Sequence, residues 1–232
     1  MDRKNVNNLI VKNLCVKYNG NSILKNLNLA VKSGEFVAIV GQSGCGKTTL
    51  LNAIAGFIRF KGNIEKPQKI GLVFQNYAAF PWMSVKNNIS FGLNGNKEKI
   101  NYYLKMIGLK DKQNYYPYEL SGGQIQRIAL ARTLASNPDL VLMDEPYGAL
   151  DANTRDKMQK WLLDIWQKER KTILFVTHSI EEAIFLSDRI LMLKDKKIRK
   201  EYKIRFKRPR NKNIKFDGGF IQLRKRISKY IN

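Results

Sequence analysis

Two hydrophobic rhythms alternate along this chain. Short, almost wholly apolar runs, FVAIV (36–40), IGLVF (70–74), LVLM (140–143) and ILFVT (173–177), read as strands buried on both faces. The longer stretches between them space their apolar residues as a helix does, and the alternation predicts a parallel sheet flanked by helices. Each of the four runs leads into residues with chemistry: the glycine-rich GQSGCGKTT (41–49), then Gln75, then Asp144 with Glu145, then His178. Ligands of open α/β sheets bind outside the carboxyl ends of the strands, so these four groups are expected to converge on one site.

Three further regions follow other patterns. LIVKNLCVKY and ILKNLNLAV flank NGNS, a hairpin signal that places an antiparallel sheet beside the main one. Between residues 81 and 136 the period is mostly helical, broken at NGN and YYPYELSGG, which suggests a helical subdomain. Near the end, Phe220, Leu223, Ile227, Tyr230 and Ile231 recur at three- and four-residue steps with Gln222, Lys225, Arg226 and Lys229 largely between them. Residues 219–231 therefore read as a basic amphipathic helix, with Asp217 as its cap. Internal repeats and low-complexity linkers are not evident. The expected division is a main domain over 1–206, with the helical part at about 81–136, and a basic C-terminal extension over 207–232.

Composition refines this picture. Hydrophobic residues make up 44% of the 232, which separates the chain from disordered proteins despite a formal net charge of +23. That charge is uneven, since residues 194–232 hold sixteen Lys and Arg against three acids. A basic tail of this kind suits nucleic acid, an anionic membrane or simply water, and the solvated reading is preferred. The longest uncharged run, 70–85, contains Gln75, Asn76 and Pro81 and falls short of the roughly 20 apolar residues a membrane span needs. The opening MDRKNVNNLIVKN lacks the apolar core of a signal peptide, so a cytosolic chain is expected. Cys15 and Cys45 read as small buried or ligand-adjacent residues, not as a disulfide framework.

GQSGCGKT fits G-x-x-x-x-G-K-[ST] at Gly41, Gly46, Lys47 and Thr48, after a strand and at the start of the helix-compatible KTTLLNAIAG. Its glycines would let backbone N–H groups wrap phosphate oxygens, Lys47 would reach the outer phosphates, and the Thr48 hydroxyl could ligate Mg²⁺. Asp144 could support the same ion, while Glu145, one residue on, could orient and deprotonate a water. His178 is the one histidine of the sequence, and its place at a strand end favours a site residue over a structural one. LSGGQ (120–124) is a second phosphate-binding candidate. A capping box explains Ser121 and Gln124, but not the consecutive glycines Gly122 and Gly123, which weaken a helix and suit close approach to its N-terminus.

The set Gly41 to Thr48, Gln75, LSGGQIQR, LVLMDEP, GALD (148–151) and His178, in that order, resembles the ATP-binding-cassette (ABC) ATPases over nearly the whole chain. The resemblance implies a P-loop NTPase fold of α/β class: a RecA-like parallel-sheet core, an N-terminal antiparallel β subdomain and a helical signature subdomain. It assigns Tyr18 to adenine stacking, a role that competes with a core position for that ring. It gives Gly41, Ser43, Gly44, Cys45, Gly46, Lys47, Thr48 and Thr49 to the phosphates of ATP, and Thr48, Gln75 and Asp144 to Mg²⁺. Glu145 would be the general base, with Gln75 and His178 beside the reacting γ-phosphate. Ser121, Gly122, Gly123 and Gln124 would close over ATP held by a second copy in a head-to-tail homodimer, and Asp151 would communicate across it. Ile125, where the family usually has a basic or polar residue, and Ser179, where Asp is frequent, are the departures.

A single cassette without membrane spans is similar to the ATPase subunit of an importer, cytoplasmic and peripheral on the inner face of the cell membrane. PWMSVKNNISFGL (81–93), DEPYGALDANTRDKMQKWLLDIW (144–166), SIEEAIFLSDRILML (179–193) and IRFKRPR (204–210) look closest to the nitrate, sulfonate and taurine group. This implies integral membrane permease subunits as partners, a solute-binding protein indirectly, and no nucleic acid. The alternative class is a soluble ABC ATPase acting on the ribosome or nucleic acid.

Overall fold

The structure, a computed structural model, describes residues 7–74, 79–93, 96–148 and 150–231. It begins with the expected hairpin: β1 (Asn7–Tyr18) pairs antiparallel with β2 (Asn21–Lys32). Asn19 and Gly20 join them, both with positive φ (47° and 81°), the handedness that tight hairpin turns require. A short strand at Lys61–Glu65, β4 in chain order, pairs antiparallel with the other edge of β1 and completes a three-stranded sheet.

The main sheet is built from β3 (Phe36–Val40), β5 (Ile70–Val73), β6 (Leu140–Asp144), β7 (Thr172–Val176), β8 (Arg189–Lys194) and β9 (Lys197–Lys203). Their order is β5-β6-β7-β3-β8-β9; all neighbours run parallel except the β8–β9 hairpin at the edge. The central strands β3, β6 and β7 are buried on both faces, whereas edge strands β5 and β9 are partly exposed, and successive side chains point to opposite faces. Phe36, Ala38 and Val40 of β3 enter one core with Val141, Met143, Ile173 and Phe175. Val37 and Ile39 enter the other, with Leu140, Leu142, Leu174 and Val176, against α1 (Lys47–Ala55) and the apolar face of the β1–β2 hairpin. Complete burial on two sides explains why β3, β6 and β7 read as unbroken apolar runs, while in β5 Ile70 and Leu72 are only half-buried.

The helices α2 (Val85–Ser90), α3 (Lys97–Met106) and α4 (Gly122–Ala135) form the helical part between β5 and β6. Ser84 and Asn96 cap the first two, accepting the N–H groups of Asn87 and Lys99. Asn88, fully buried, accepts the Phe80 N–H at 2.7 Å and donates to the carbonyls of Phe80, Met83 and Ser84. One amide thus fixes the segment that leads into α2. Then come α5 (Ala152–Glu169) and α6 (Ile180–Leu186), which follow β6 and β7. Among the described residues, no helix is long and apolar enough to cross a membrane.

The basic tail folds back on this body. The expected helix is present as α7 (Gly218–Ile231), and Asp217 accepts the N–H groups of Gly219 and Phe220. Phe220 and Ile227 are buried in the helical-side core, with Phe206, Leu223 and Ile231 packed against it. Polar contacts add to the docking: Arg224 pairs with Glu181, Lys215 with Asp156 at 3.0 Å, and the Gln42 amide donates to the Ile231 carbonyl at 2.8 Å. Truncation after Arg210 is therefore expected to lower the melting temperature by several degrees while leaving flotation on anionic liposomes little changed. Thermal melting and flotation at low and moderate salt would check this; an unchanged melt with flotation abolished would assign the tail to lipid.

Candidate functional site

The loop 41–46 turns directly from β3 into α1, and sterics dictate its glycines. A Cβ on Gly41 would lie 2.4 Å from the Leu193 carbonyl oxygen and 2.7 Å from Cys45 Sγ. Gly46 has φ 104°, and a Cβ there would meet Leu24 of β2 at 2.9 Å, so the hairpin sheet abuts the loop. Gly46 supplies no side-chain cap to α1, and the helix's first turn carries no acid. Its N-terminal N–H groups are left for an anion. Lys47 is buried, its ammonium donating to the carbonyls of Gly41 and Gln42, both at 2.9 Å. Ser43 and Gly44 are exposed at the loop's tip, and Cys45 and Thr49 are half-buried. Burial raises the Cys45 thiol pKa, with Lys47 opposing the shift, and both cysteines are free.

The end of β6 brings the acids to this loop. Asp144 is buried near Thr48 and Lys47. Burial pushes that carboxyl up, Glu145 adds to the shift, and Thr48 and Lys47 oppose it. Glu145 takes a left-handed backbone conformation, φ 47°, unusual for a residue with a side chain. Its N–H donates to Val176 at 2.9 Å, which continues the β6–β7 pairing one residue past the strand. The turn aims its carboxylate at the end of β7, where Glu145 Oε2 lies 3.0 Å from His178 Nδ1. The histidine side chain is otherwise open to solvent, 68% exposed. Residues 30 or more apart in sequence thus meet where the strand ends predict.

The remaining candidates lie elsewhere. Tyr18 ends β1 and is 45% exposed, which removes it from the core and leaves its ring free to stack. Ser121 is exposed ahead of α4, and its N–H donates to Gln124 Oε1 at 2.9 Å, half of the capping box. Gly122 and Gly123 form the first turn of α4. Asp151 caps α5, accepting the Thr154 N–H at 3.0 Å, and Thr154 holds its carboxyl below the usual range. Gln75 lies outside the described residues. Sequence reasoning missed the buried Thr177 and Glu182 and the half-buried Arg155, which form a polar group next to His178, although the S-x-x-E spacing of Ser179 and Glu182 is a capping-box signal.

The donor set suits Mg²⁺. Thr48 and Asp144, which lie near each other, offer hard oxygens. Among the described residues no group of three His, Cys, Asp or Glu could hold a metal. Mg²⁺ needs none, being held by one or two carboxylates together with substrate phosphates.

A strand running into a glycine loop, a buried lysine and a bare helix N-terminus, with two acids delivered by a parallel strand, defines a P-loop nucleoside triphosphatase. A family model described as ABC transporter matches residues 24–148. The chain belongs to that family, and it is an ATPase cassette. It is 45% identical over 231 residues to an uncharacterized ABC transporter ATP-binding protein of Methanocaldococcus jannaschii, covering 91% of this chain and 85% of the relative. The taurine import ATP-binding protein TauB of Escherichia coli strain K12 is 40% identical over 242 residues, with 94% and 95% covered. The fold matches the dimeric structure of a post-hydrolysis state of an ATP-binding cassette bound to ADP and Pi, with TM-score 0.75 and 34% identity over 86% of this chain and all of that one.

Proposed function

We propose that this chain hydrolyses ATP at a site shared by two copies of itself and thereby powers import of a small solute through separate membrane subunits. The observation that carries the reading is the Glu145–His178 pair, 3.0 Å apart, one residue beyond the buried Asp144. ATP would lay its phosphates over the α1 N-terminus, and Lys47 would exchange the carbonyls of Gly41 and Gln42 for phosphate oxygens. Thr48 and Asp144 would hold Mg²⁺, with Gln75 completing the set. Bound there, Mg²⁺ would neutralise charge on the phosphates. Glu145 takes the proton of an attacking water, and His178 orients that carboxylate and reaches the γ-phosphate. Tyr18 stacks on adenine. The Ser121–Gln124 turn, exposed at Ser121 and Gly122, would cover the ATP of the second copy, and Asp151 would lie on the same interface.

The solute assignment draws on the taurine importer relative, so a sulfonate, nitrate or similar small anion is the expected cargo. Integral membrane permease subunits, met by this chain at the inner face of the membrane and fed by a solute-binding protein, complete the assembly. Uptake of labelled taurine or nitrate by cells carrying this chain with its membrane subunits tests the reading. Uptake is expected with the parent and not with Glu145→Gln; equal uptake by both would overturn it.

Coupling to the permease would run through the aromatic surface ahead of α2. Trp82 is 70% exposed and stacks on Phe80 (5.3 Å), which in turn meets Phe91 edge-on. Because this ring contributes little to the core, Trp82→Ala is expected to melt within about 2 °C of the parent, as surface changes do. It should keep ATP hydrolysis yet lose solute uptake. Unfolding of the variant would return Trp82 to the core.

A further inference from the structure

A buried carboxylate, Glu182, lies behind the Glu145–His178 pair. It stands on the first turn of α6, where burial raises its carboxyl while Thr177, Arg155, His178 and Lys215 oppose the shift. Its Oε2 accepts the Thr177 hydroxyl at 2.7 Å, and its Oε1 lies 3.7 Å from Arg155 Nε. The Thr177 oxygen in turn accepts the Ser179 N–H at 3.0 Å, and Ser179 Oγ accepts the Glu182 N–H. Residues 177 and 179 are thus pinned on either side of His178, whose own side chain meets, among the described residues, only Glu145. Arg155 carries the connection further by donating to the Leu150 carbonyl at 2.9 Å, immediately before Asp151. A cavity of about 50 Å³ lined by Glu145, His178, Arg155 and Glu182 joins the two groups.

We propose that Glu182 is a positioning residue for hydrolysis, setting His178 through Thr177 and the turn before Asp151 through Arg155. The proposal rests on the reading of Glu145 and His178 given above and adds to it a residue whose carboxylate is held by Thr177 and Arg155. The Glu182–Arg155 pair, partly open to solvent at the arginine, is a weak source of stability; what it supplies is geometry. Here the geometry is that of a solvent-exposed histidine whose direction depends on its backbone. Displacing a reacting group by about 1 Å can cost on the order of 10²-fold in rate, so a partial loss of this support should be visible in turnover. The phosphate loop makes none of these contacts, and nucleotide affinity should be spared.

The test is ATP hydrolysis by the full-length chain bearing Glu182→Gln, alone and in combination with His178→Ala. Alone, kcat per folded molecule, with the folded fraction set by thermal melting, is expected to fall about tenfold while KM for ATP changes less than about twofold, the split expected when positioning and not binding is lost. In the His178→Ala background the same substitution should cost less than about twofold more, because residues that act as one unit are not additive. Thr177→Val, which removes the hydroxyl and leaves the carboxylate with Arg155, should reproduce the loss, and it carries the test if Glu182→Gln does not fold. An undiminished kcat in both variants, or an equal loss with and without His178, would overturn the proposal. A parental rate for His178→Ala alone would instead remove the reading of the pair on which it rests.

Discussion

Replacing Glu145 by glutamine is expected to leave ATP binding intact and to slow turnover at least about 100-fold, the usual cost of removing a general base. The substitution keeps the size of the side chain and a hydrogen-bonding oxygen 3.0 Å from His178 Nδ1, so the left-handed turn after β6 has no reason to change. Only the capacity to take a proton from water is lost. Binding is carried by other groups: the loop 41–46, Lys47 and the α1 N-terminus lie on a different strand and owe nothing to the charge of Glu145. Single-turnover phosphate release, paired with equilibrium binding of a fluorescent ATP analogue, separates the two effects. A rate within a few-fold of the parent would remove Glu145 from the chemistry.

Arg210→Leu is expected to be the most destabilising single change in the tail. Arg210 is buried, and its guanidinium donates to the carbonyls of Ile184, Phe185 and Ser187 at 2.7–3.0 Å, and to that of Phe206. Burial pushes the guanidinium pKa down to about 10, with Arg208 adding to the shift and Asp188 opposing it, which leaves it charged at neutral pH. The acceptors are the free carbonyls at the end of α6, a helix of seven residues too short to hold itself. Leucine fills the space and leaves those carbonyls without a donor, a loss of roughly 3 kcal/mol or more. For a chain of this size, that lowers the melting temperature by roughly 6 to 12 °C. Because α6 carries Glu182 and follows His178, the ATPase rate should fall as well. A melt within about 1 °C of the parent, against that expectation, would place the tail's anchor elsewhere.

How legible each feature was depended on how its residues are buried. The central strands could be read because burial on both faces leaves no polar position to interrupt them, and FVAIV and ILFVT are wholly buried through Val40 and Val176. The hairpin could be read because Asn19-Gly20 satisfies a conformation few dipeptides tolerate. The edge strands β4 and β9 could not. KGNIE has one apolar residue in five, and KIRKEYK is mostly charged, so pairing with a neighbouring strand, not pattern, makes each a strand. At the site, the loop and both acids announced themselves through short spacings next to strands. Arg155, Thr177 and Glu182 did not, because the contact that unites them joins two helices and a strand end that are distant in sequence. Arg210 was hidden differently: among sixteen basic residues of a tail that reads as solvated, nothing local distinguishes the one whose charge is buried.

The central claim, that each ATP is hydrolysed between the phosphate loop of one copy and the LSGGQ turn of another, is tested most directly by mixing two inactive variants. Glu145→Gln loses the base, and Ser121→Arg fills the space over the partner's phosphate. In a two-fold pair the Ser121→Arg copy contributes an intact loop and Glu145, and the Glu145→Gln copy an intact Ser121, so one complete site forms only in the mixed dimer. Each variant alone is expected to be inactive, and mixing them to restore ATP hydrolysis. A Ser121→Arg chain as active as the parent, or a mixture as silent as its components, would contradict the account.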